Sequence, residues 1–388
     1  MVSRLLMHVG PSVANYGVLS SAVAPNLGFA SPEFNQAMRY SLGQFREVSG
    51  ADETCTPFII PGGGTAAMES AVSFLKRDSK VLIVTNGVFG DRWEGILSRY
   101  PVQFKILRAK AGKAIPTSQI AAELRDGDFD AVTLTQVETS TGVRMPLKEI
   151  TEAIRPLVDL IMVDGVAGIG GEKISLSQWK IDVCLTASQK ALGAQAGAGL
   201  LVASRKAMDK LSQPSISGYL LDLRNWAGLM GNYLAGSGGY FATPPIGTVF
   251  SLAESFRRIE TETMEKRIER HRVCSEAFRK GIKEMGLEIV ASENLRSNTV
   301  SGVFVDNISI PDFLKAAMES GVEFAAGVHP EIRDRYFRVG HMGWVEPAHI
   351  ITALNAIEQA INRLGGKIDK DAGKLAAKGV FEKASVVA

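Results

Sequence analysis

Short apolar segments alternate with amphipathic ones over a long stretch of this 388-residue chain, from about residue 58 to residue 204. The apolar segments have the length and composition of buried strands, and the amphipathic ones have the spacing of helices with one apolar face. The strand candidates are KVLIVTN, VQFKILR, DAVTLTQVE, LIMVDG, DVCLTAS and GAGLLVAS, and the helix candidates are TAAMESAVSFLKR, FGDRWEGILSRY, TSQIAAELRD and LKEITEAIRPL. This alternation predicts an α/β fold on a mostly parallel sheet, with helices on both faces.

The last two predicted strands break this alternation. The link between them, QKALGAQA, is too short to hold a crossover helix. Because a parallel connection needs about a dozen residues or more, we expect these two strands to be antiparallel. Lys190 then lies in the turn that joins them.

The second half of the chain predicts a smaller α/β unit. A Gly- and Pro-rich loop over 235–248 precedes a long charged helix at roughly 249–286. The later candidates are the strands LEIVAS, TVSGVFVD, VEFAAG and YFRVGHMG, with helices near 311–319 and 346–363. We therefore divide the chain into an N-terminal segment (1–20), a large domain (21–255) and a small C-terminal domain (256–388). The Lys- and Ala-rich tail from Gly365 is expected to form a frayed extra helix.

Charge and cysteine content argue against several classes of protein. The 43 Lys and Arg residues nearly balance the 41 Asp and Glu residues, so a net charge of +2 indicates neither a nucleic-acid nor an acidic-membrane partner. Cys55, Cys184 and Cys274 are scattered without a CxxC pair, which argues against structural zinc and for a reducing compartment. No apolar run approaches a membrane span, and the start of the chain lacks a signal-peptide core. We expect a cytoplasmic protein without a metal.

Lys190 interrupts an otherwise small and apolar stretch, TASQKALGAQAGAGLL, between two predicted core strands. One interpretation is a surface lysine in a flexible loop, as most lysines are. The other starts from the smallness of the surrounding residues, which cannot cover a charged side chain. A desolvated lysine amine loses part of its proton affinity and can attack a carbonyl to form a Schiff base.

The segment IIPGGGTAAMESAV carries a strand into three glycines, then Thr65, then a helix. Glycines allow close approach of the backbone to a ligand, and a helix N-terminus offers free N–H groups to a phosphate. A plain strand-to-helix turn is an equally good interpretation of this segment alone. Neither a Walker A loop nor a GxGxxG dinucleotide motif is present, which counts against nucleotide binding.

Asp164 ends the apolar strand LIMVDG, at the sheet edge where functional residues of such folds usually lie. If the strand continues, Val166 faces the same way. One carboxylate beside one apolar side chain suits a flat, cationic heteroaromatic ring. A helix-capping or ion-paired aspartate is the alternative.

Three further segments follow predicted strands and carry polar or aromatic side chains. Phe89 and Arg92 lie in NGVFGDRW, where Phe89 either joins the core or stacks on a planar ligand. Thr139 begins a run of hydroxyl side chains in QVETSTGV, which are either turn residues or donors to a ligand oxygen. Arg338, in RYFRVGHMG, is either an exposed ion pair or the partner of a substrate carboxylate.

Each of these signals is weak alone, but together they supply a phosphate cradle, an aromatic plate, a hydroxyl donor, a carboxylate and a lysine. This combination matches the needs of pyridoxal phosphate. The chain resembles the class V, fold type I pyridoxal-phosphate aminotransferases, within them the serine/alanine–glyoxylate (serine–pyruvate) group. The resemblance runs from HVGPSVANYGVLSSAV to RVGHMG and is most specific in VDGVAGIGG and DVCLTASQKALGAQAGAGLLVAS. It implies a mostly parallel seven-stranded sheet in the large domain and a smaller C-terminal α/β domain.

The resemblance implies a role for each residue around the cofactor ring. Lys190 forms the Schiff base with pyridoxal 5'-phosphate and shuttles the proton. Asp164 pairs with the pyridine nitrogen. Phe89 stacks on one face of the ring, Val166 packs on the other, and Thr139 donates to the phenolic oxygen.

The resemblance also implies how the phosphate and the substrate are bound. In the same chain the phosphate is contacted by Gly63, Gly64, Thr65 and Gln189. In a homodimer with shared active sites, Tyr240 and Thr243 reach the phosphate of the neighbouring subunit. Arg338 binds the carboxylate of the substrate.

The implied reaction is a ping-pong transamination of a small amino acid, serine or alanine, with glyoxylate or pyruvate as acceptor. Phosphonate and phosphoserine aminotransferases are alternatives, but they need extra basic residues that we do not locate. A cysteine desulfurase-like lyase needs a cysteine on a mobile loop, which none of the three cysteines provides. A non-enzymatic nucleotide-binding α/β protein is the remaining alternative.

Overall fold

The computed structural model describes residues 4–23, 27–211 and 216–387, and its largest element is a seven-stranded sheet. The strands are β1 Leu5–Leu6, β2 Thr56–Pro61, β3 Lys80–Thr85, β4 Gln103–Arg108, β5 Ala131–Thr135, β6 Val137–Glu138, β7 Val143–Arg144, β8 Leu160–Asp164, β9 Val183–Ala187, β10 Ala198–Ala203, β11 Val300–Phe304, β12 Val322–Glu323, β13 Ala325–Ala326 and β14 Tyr336–Gly340.

The helices connect these strands and cover the cores. They are α1 Tyr16–Ser20, α2 Pro32–Val48, α3 Gly64–Ser70, α4 Val88–Leu97, α5 Thr117–Gly127, α6 Leu147–Ile154, α7 Arg205–Lys210, α8 Leu223–Ala235, α9 Ile246–Glu262, α10 Met264–Glu284, α11 Ile310–Glu319, α12 Pro347–Arg363 and α13 Ala372–Val387. Short 3₁₀ turns lie at Ser21–Val23, Ala71–Phe74, Glu293–Leu295 and Arg333–Arg335. Among the described helices, none combines the length and apolarity that spanning a bilayer requires.

The large sheet has the strand order β2-β10-β9-β8-β5-β3-β4. Neighbouring strands in this sheet are parallel, except that β10 is antiparallel to both β2 and β9. This arrangement confirms the predicted α/β class and the antiparallel pairing across the Lys190 turn. Because all strands except β10 run the same way, β2, β3, β5, β8 and β9 end at one common edge.

The described residues form two large hydrophobic cores and a third, small cluster of seven buried residues, which includes Val9, Val137 and Ala191. The first joins residues between Val18 and Ile259 around the large sheet. The second joins residues between Cys274 and Ala377 with Met7 and Val13, so the start of the chain packs with its end. Strand β1 accordingly pairs with β12, and β11, β14 and β13 form a separate three-stranded antiparallel sheet. The domain boundaries given above remain a prediction.

The long charged helix predicted at 249–286 is wrong as a single element. The structure has two helices, α9 and α10, separated at Thr263, where φ is +68° and ψ is 149°. Apolar periodicity continues on both sides of this residue, so the pattern alone did not reveal the break. The Thr263 hydroxyl accepts a hydrogen bond from the Lys266 N–H and so begins the second helix.

Two further expectations for the C-terminal half need correction. LEIVAS does not form a strand but contributes an isolated bridge between Ile289 and Val303. The tail does form a helix, α13, but it packs against α10 and α12 rather than fraying, and Ala377 is fully buried. Small residues in the tail make this contact possible because they bring the helix axes close together.

Candidate active site

A cavity of about 270 Å³ opens at the common edge of the large sheet. It collects side chains that lie far apart along the chain but follow neighbouring strands, as expected for a doubly wound sheet. The lining residues are Gly63, Gly64, Thr65, Met68, Phe89, Arg92, Val137, Thr139, Asp164, Val166, Gln189 and Lys190.

Lys190 lies in the turn after β9, with its amine half-buried against the N-terminal segment. Its Nζ donates to the carbonyl of Val9 at 2.6 Å. A Cβ at Gly10 would overlap this amine, so the adjacent glycine provides the room that the lysine needs. Burial, together with the nearby positive charge of Arg338, lowers the pKa of Lys190 to about 8. A substantial fraction of the amine is therefore neutral near pH 8.

Asp164 ends β8 and is only 3% exposed. Its Oδ1 accepts a hydrogen bond from the Val166 N–H at 2.8 Å. Burial raises the pKa of Asp164 to about 7 despite that hydrogen bond, and the negative charge of Glu138 acts in the same direction. Among the described residues it forms no ion pair. The site therefore contains a buried carboxylate without a cationic partner from its own chain.

The glycine loop after β2 brings its backbone close to Val166. A Cβ at Gly64 would lie 2.8 Å from a methyl group of Val166, so only glycine allows this approach. A Cβ at Gly63 would lie 3.7 Å from the amide nitrogen of Gln189, which places the glutamine beside the loop. Both loop glycines and the adjacent Thr65 thus face the cavity from one side.

Phe89 and Arg92 lie one turn apart at the start of α4 and both face the cavity. The Arg92 guanidinium lies 4.8 Å from the centre of the Phe89 ring and donates to the Thr65 hydroxyl at 2.7 Å. The fully buried Glu138 accepts hydrogen bonds from the N–H groups of Phe89 and Gly90, at 3.2 and 3.0 Å. These contacts hold the aromatic ring in place beside the glycine loop.

Arg338 does not line the cavity but lies directly behind it on β14. It is 5% exposed, and its guanidinium donates to the carbonyls of Ala326 and Thr139, at 2.8 and 3.2 Å. Burial lowers the pKa of this guanidinium. Because Thr139 itself lines the cavity, only this residue separates the positively charged guanidinium of Arg338 from the cavity.

Tyr240 and Thr243 are not brought to the cavity of their own chain. Tyr240 is 61% exposed and its ring packs against Phe29, with 4.7 Å between the ring centres. Thr243 is also exposed. The role expected for both residues, at the phosphate of a neighbouring subunit, stays a prediction.

Sequence reasoning overlooked several residues that shape the cavity. Met68 and Val137 line it, Glu138 anchors α4, and the carbonyl of Val9 holds the lysine amine. Arg92 was noticed without a role, although its spacing of three residues from Phe89 places both on one helical face. No sequence signal indicated Val9, because only tertiary contacts bring the N-terminal segment to Lys190.

The three cysteines do not support the lyase alternative. Cys55, Cys184 and Cys274 are all buried and free, and none of them lines the cavity. Burial raises the pKa of the Cys184 and Cys274 thiols to about 12, so thiolate is scarce near neutral pH. In the described part of the chain no group of three or more His, Cys, Asp or Glu side chains could hold a metal ion.

The chemistry of the lining residues fits pyridoxal phosphate. The unpaired Asp164 carboxylate would gain a counter-ion from a protonated ring nitrogen, and Gly64 leaves the space that a side chain would fill. Thr65, Gln189 and the loop N–H groups are suitable donors to a phosphate. Lys190, with its lowered pKa, has the amine chemistry that a Schiff base with such a cofactor requires.

The chain is similar to known aminotransferases in both sequence and structure. A family model described as Aminotransferase class-V matches residues 14–343. The chain is 35% identical over 355 residues to an alanine–glyoxylate aminotransferase of Saccharomyces cerevisiae, covering 87% of this chain and 91% of the relative. It is 27% identical over 378 residues to the serine–glyoxylate aminotransferase of Methylorubrum extorquens, covering 95% and 93%. The solved structure of ureidoglycine–glyoxylate aminotransferase from Bacillus subtilis superposes with a TM-score of 0.90 at 26% identity, covering 98% of each chain.

Proposed function

The chain belongs to the class-V aminotransferase family, whose enzymes use pyridoxal phosphate, and from this premise we propose what it acts on. We propose that it transfers the amino group of a small amino acid, serine or alanine, to glyoxylate or pyruvate. The names of the yeast and Methylorubrum relatives support an alanine or serine donor and glyoxylate as acceptor. The small cavity, about 270 Å³, is in keeping with small substrates.

One observation carries this proposal: Lys190 and Asp164 line the same cavity with pKa values shifted towards each other. The pKa of the lysine is lowered to about 8, and that of the aspartate is raised to about 7. Such paired shifts in a cleft are typical of groups that exchange protons or bind a charged ligand. A structural lysine would instead keep a high pKa and an acidic partner.

The chain's own residues divide the work of transamination. When bound, pyridoxal phosphate supplies an electron sink for the α-carbon of the amino acid. The neutral amine of Lys190 would take the proton from that carbon as a general base and would then donate it, as a general acid, to a different carbon, on the cofactor, as transfer of the amino group requires. The Asp164 carboxylate keeps the ring nitrogen protonated. Arg338 offers a planar guanidinium to the substrate carboxylate from behind Thr139.

We further propose that the enzyme is a homodimer with shared active sites. Tyr240 and Thr243 are exposed and lie outside their own cavity, which leaves them free to approach a neighbouring subunit. Three free, buried cysteines support a reducing compartment, and we propose a cytoplasmic location.

A panel of amino donors and acceptors tests the proposed substrates. Each donor is added alone to the holoenzyme, and the loss of its visible absorbance is followed by stopped-flow spectroscopy. We expect L-serine or L-alanine to react fastest and glyoxylate or pyruvate to restore the spectrum. A preference for phosphoserine or 2-aminoethylphosphonate over both small donors would contradict the proposal.

The role of Lys190 is tested by Lys190→Ala. We expect transamination to fall by at least about 10³-fold, because both the Schiff base and the proton transfer are lost. Lys105→Ala is the control, since Lys105 is exposed and pairs only with Glu123 in the described contacts. Turnover by Lys190→Ala at the wild-type rate would exclude the mechanism.

A further inference from the structure

Arg267 is a fully buried arginine in the first turn of α10, just after the break at Thr263. Its guanidinium donates to three backbone carbonyls. Nε donates to Gly170 at 2.9 Å, and Nη2 donates to Ala191 at 2.8 Å and to Gly343 at 3.2 Å. A buried charge is costly unless it is paired and hydrogen-bonded, and these three hydrogen bonds offset part of that cost.

Two of these carbonyls belong to the loops that carry the proposed catalytic pair. Ala191 directly follows Lys190, and Gly170 lies in the loop that follows Asp164. The loops touch at the backbone, since Gly170 has φ +98° and a Cβ there would lie 3.0 Å from the carbonyl carbon of Ala191. One guanidinium therefore bridges the turn after β9 and the loop after β8.

The orientation of Arg267 is itself held from two sides. Its Nη1 donates to the carboxylate of Glu262 at 2.9 Å, and its plane lies over the Trp344 ring at 4.3 Å from the ring centre. A planar guanidinium with several donors can satisfy all of these partners at once, whereas a lysine ammonium cannot reproduce the fork. These contacts therefore favour arginine over lysine at position 267.

Arg270, one turn further along α10, provides an internal comparison. It shares Glu262 as a partner, lies 6.0 Å from the centre of the same Trp344 ring, and donates to the carbonyls of Gly343 and Val345. In the described contacts it reaches neither Gly170 nor Ala191. In these contacts Arg267 bridges the two loops and Arg270 does not, whereas both arginines contact Glu262, the Trp344 ring and the Gly343 carbonyl.

We propose that Arg267 is a positioning residue, which fixes the turn carrying Lys190 against the loop that follows Asp164. It contacts neither the cavity nor a reacting atom, and it acts through the backbone of these two loops. A small displacement of the lysine amine costs reaction rate because proton transfer requires close alignment. The inference rests on the proposed role of Lys190 and goes beyond it by naming what holds that residue in place.

Arg267→Lys tests this role, because it keeps the positive charge and removes the fork. The first measurement is competitive labelling of Lys190 with acetic anhydride in the cofactor-free full-length chain, read across pH by peptide mass spectrometry. A loosened turn lets water reach the amine, so we expect its titration midpoint to rise by at least about half a pH unit. In the holoenzyme we expect kcat to fall about tenfold, with KM for the amino donor changed less than about threefold.

Arg270→Gln is the matched control. It perturbs the same Glu262 and Trp344 cluster, so both variants should lose thermal stability, but the labelling midpoint and kcat of Arg270→Gln should stay close to wild type. An equal effect of the two substitutions on the midpoint and kcat would overturn the inference, as would an Arg267→Lys enzyme with wild-type values of both.

If Arg267→Lys does not fold, Glu262→Gln decides, because it removes the carboxylate that orients Arg267 and leaves the arginine in place. Glu262 also pairs with Arg270, so Arg270→Gln stays the control. We expect a smaller rise of the midpoint in the same direction, and an unchanged midpoint would overturn the inference. A wild-type chain that forms no borohydride-reducible adduct of pyridoxal phosphate at Lys190 would refute the proposed function itself. A wild-type chain that forms this adduct, with Arg267 variants indistinguishable from it, would refute only the positioning role.

Discussion

At the residue scale, burial acts in opposite directions on the two central groups of the cavity. It lowers the pKa of Lys190 and raises that of Asp164, because in each case the charged form loses its hydration. Among the residues that the structure describes, the lysine amine donates to the Val9 carbonyl, and the aspartate accepts from the N–H of Val166. The site therefore suits a ligand with an electrophilic carbon near the Lys190 amine and a positive charge near the Asp164 carboxylate.

The raised pKa of Asp164 predicts how the cofactor-free chain responds to pH. Between about pH 4 and pH 7 the folded chain holds a proton on Asp164 that the unfolded chain releases, so the free energy of unfolding falls as pH rises through this window. An asparagine cannot ionise, so Asp164→Asn avoids this fall in the free energy of unfolding. We expect the substitution to stabilise the cofactor-free chain at pH 8 by up to about 4 kcal/mol.

Denaturant unfolding of the cofactor-free chains at pH 5 and pH 8 measures this difference. Asp126→Asn serves as control, because Asp126 is exposed. The explanation fails if Asp164→Asn is no more stable than wild type at pH 8. With pyridoxal phosphate added the order should reverse, since only the carboxylate pairs with a protonated ring nitrogen.

Gly10 provides a second prediction at this scale. Its φ is +130°, and a Cβ would overlap the Lys190 amine. Gly10→Ala should therefore displace the lysine and reduce the formation of a borohydride-reducible adduct with pyridoxal phosphate by at least about tenfold. Gly28→Ala is the control, because nothing lies within 4 Å of a Cβ there. Equal adduct formation in the two variants would show that Gly10 is not needed for the position of Lys190.

At the scale of elements, the break between α9 and α10 creates the corner that holds Glu262 and Arg267. An uninterrupted helix over 249–286 would place these two side chains along one straight surface instead. The break depends on Thr263, a β-branched residue at φ +68° and ψ 149°, a region that glycine adopts far more readily.

Thr263→Gly should consequently stabilise the fold. Relief of backbone strain is worth about 1–3 kcal/mol, and replacing the hydroxyl cap by glycine costs roughly a few tenths of a kcal/mol, so we expect a gain of about 1 kcal/mol. Thr261→Gly, inside α9, should instead cost up to about 1 kcal/mol. Chemical denaturation of both variants measures the difference, and destabilisation by Thr263→Gly would mean that this residue is not strained.

At the scale of the whole molecule, the start of the chain packs with the second core while it also contacts the Lys190 turn. Val9 accepts from the lysine amine, and the Ser12 hydroxyl donates to the Lys190 carbonyl at 2.7 Å. Met7 and Val13 are buried in the core that also contains Val339, next to Arg338. The N-terminal segment therefore links the second core to the turn of Lys190, although the predicted boundary at residue 20 treats it as a separate segment.

The proposed shared active site predicts complementation between two impaired variants. A hybrid dimer of Lys190→Ala and Tyr240→Ala subunits has one site with an intact Lys190 from one chain and an intact Tyr240 from the other. One of the two sites of each hybrid is intact, so we expect the purified hybrid to show about half of the wild-type number of active sites. Co-expression with two affinity tags and active-site titration of the purified hybrid measure this recovery. A hybrid with no more activity than the better parent would contradict the shared site.

The strands of the large sheet were predictable from sequence, because each is a short apolar run between turn residues. The same pattern failed for LEIVAS, which forms only an isolated bridge. The residues that follow these strands were predictable as site candidates for the same reason: strand ends of a parallel sheet meet at one edge. Helix α9 and helix α10 were not separable, because one residue with positive φ changes the chain direction without changing the apolar period.

Sequence patterns predicted the large sheet, its antiparallel strand at the Lys190 turn and most of the side chains at one edge, since these features depend on local periodicity and connection length. Three contacts became visible only in the folded chain: Val9 holds the lysine amine, Glu138 anchors α4, and Arg267 bridges two loops. Each of these contacts joins segments far apart in the chain and uses a backbone group on at least one side. Backbone groups are the same at every position, so no residue pattern reveals which of them will meet.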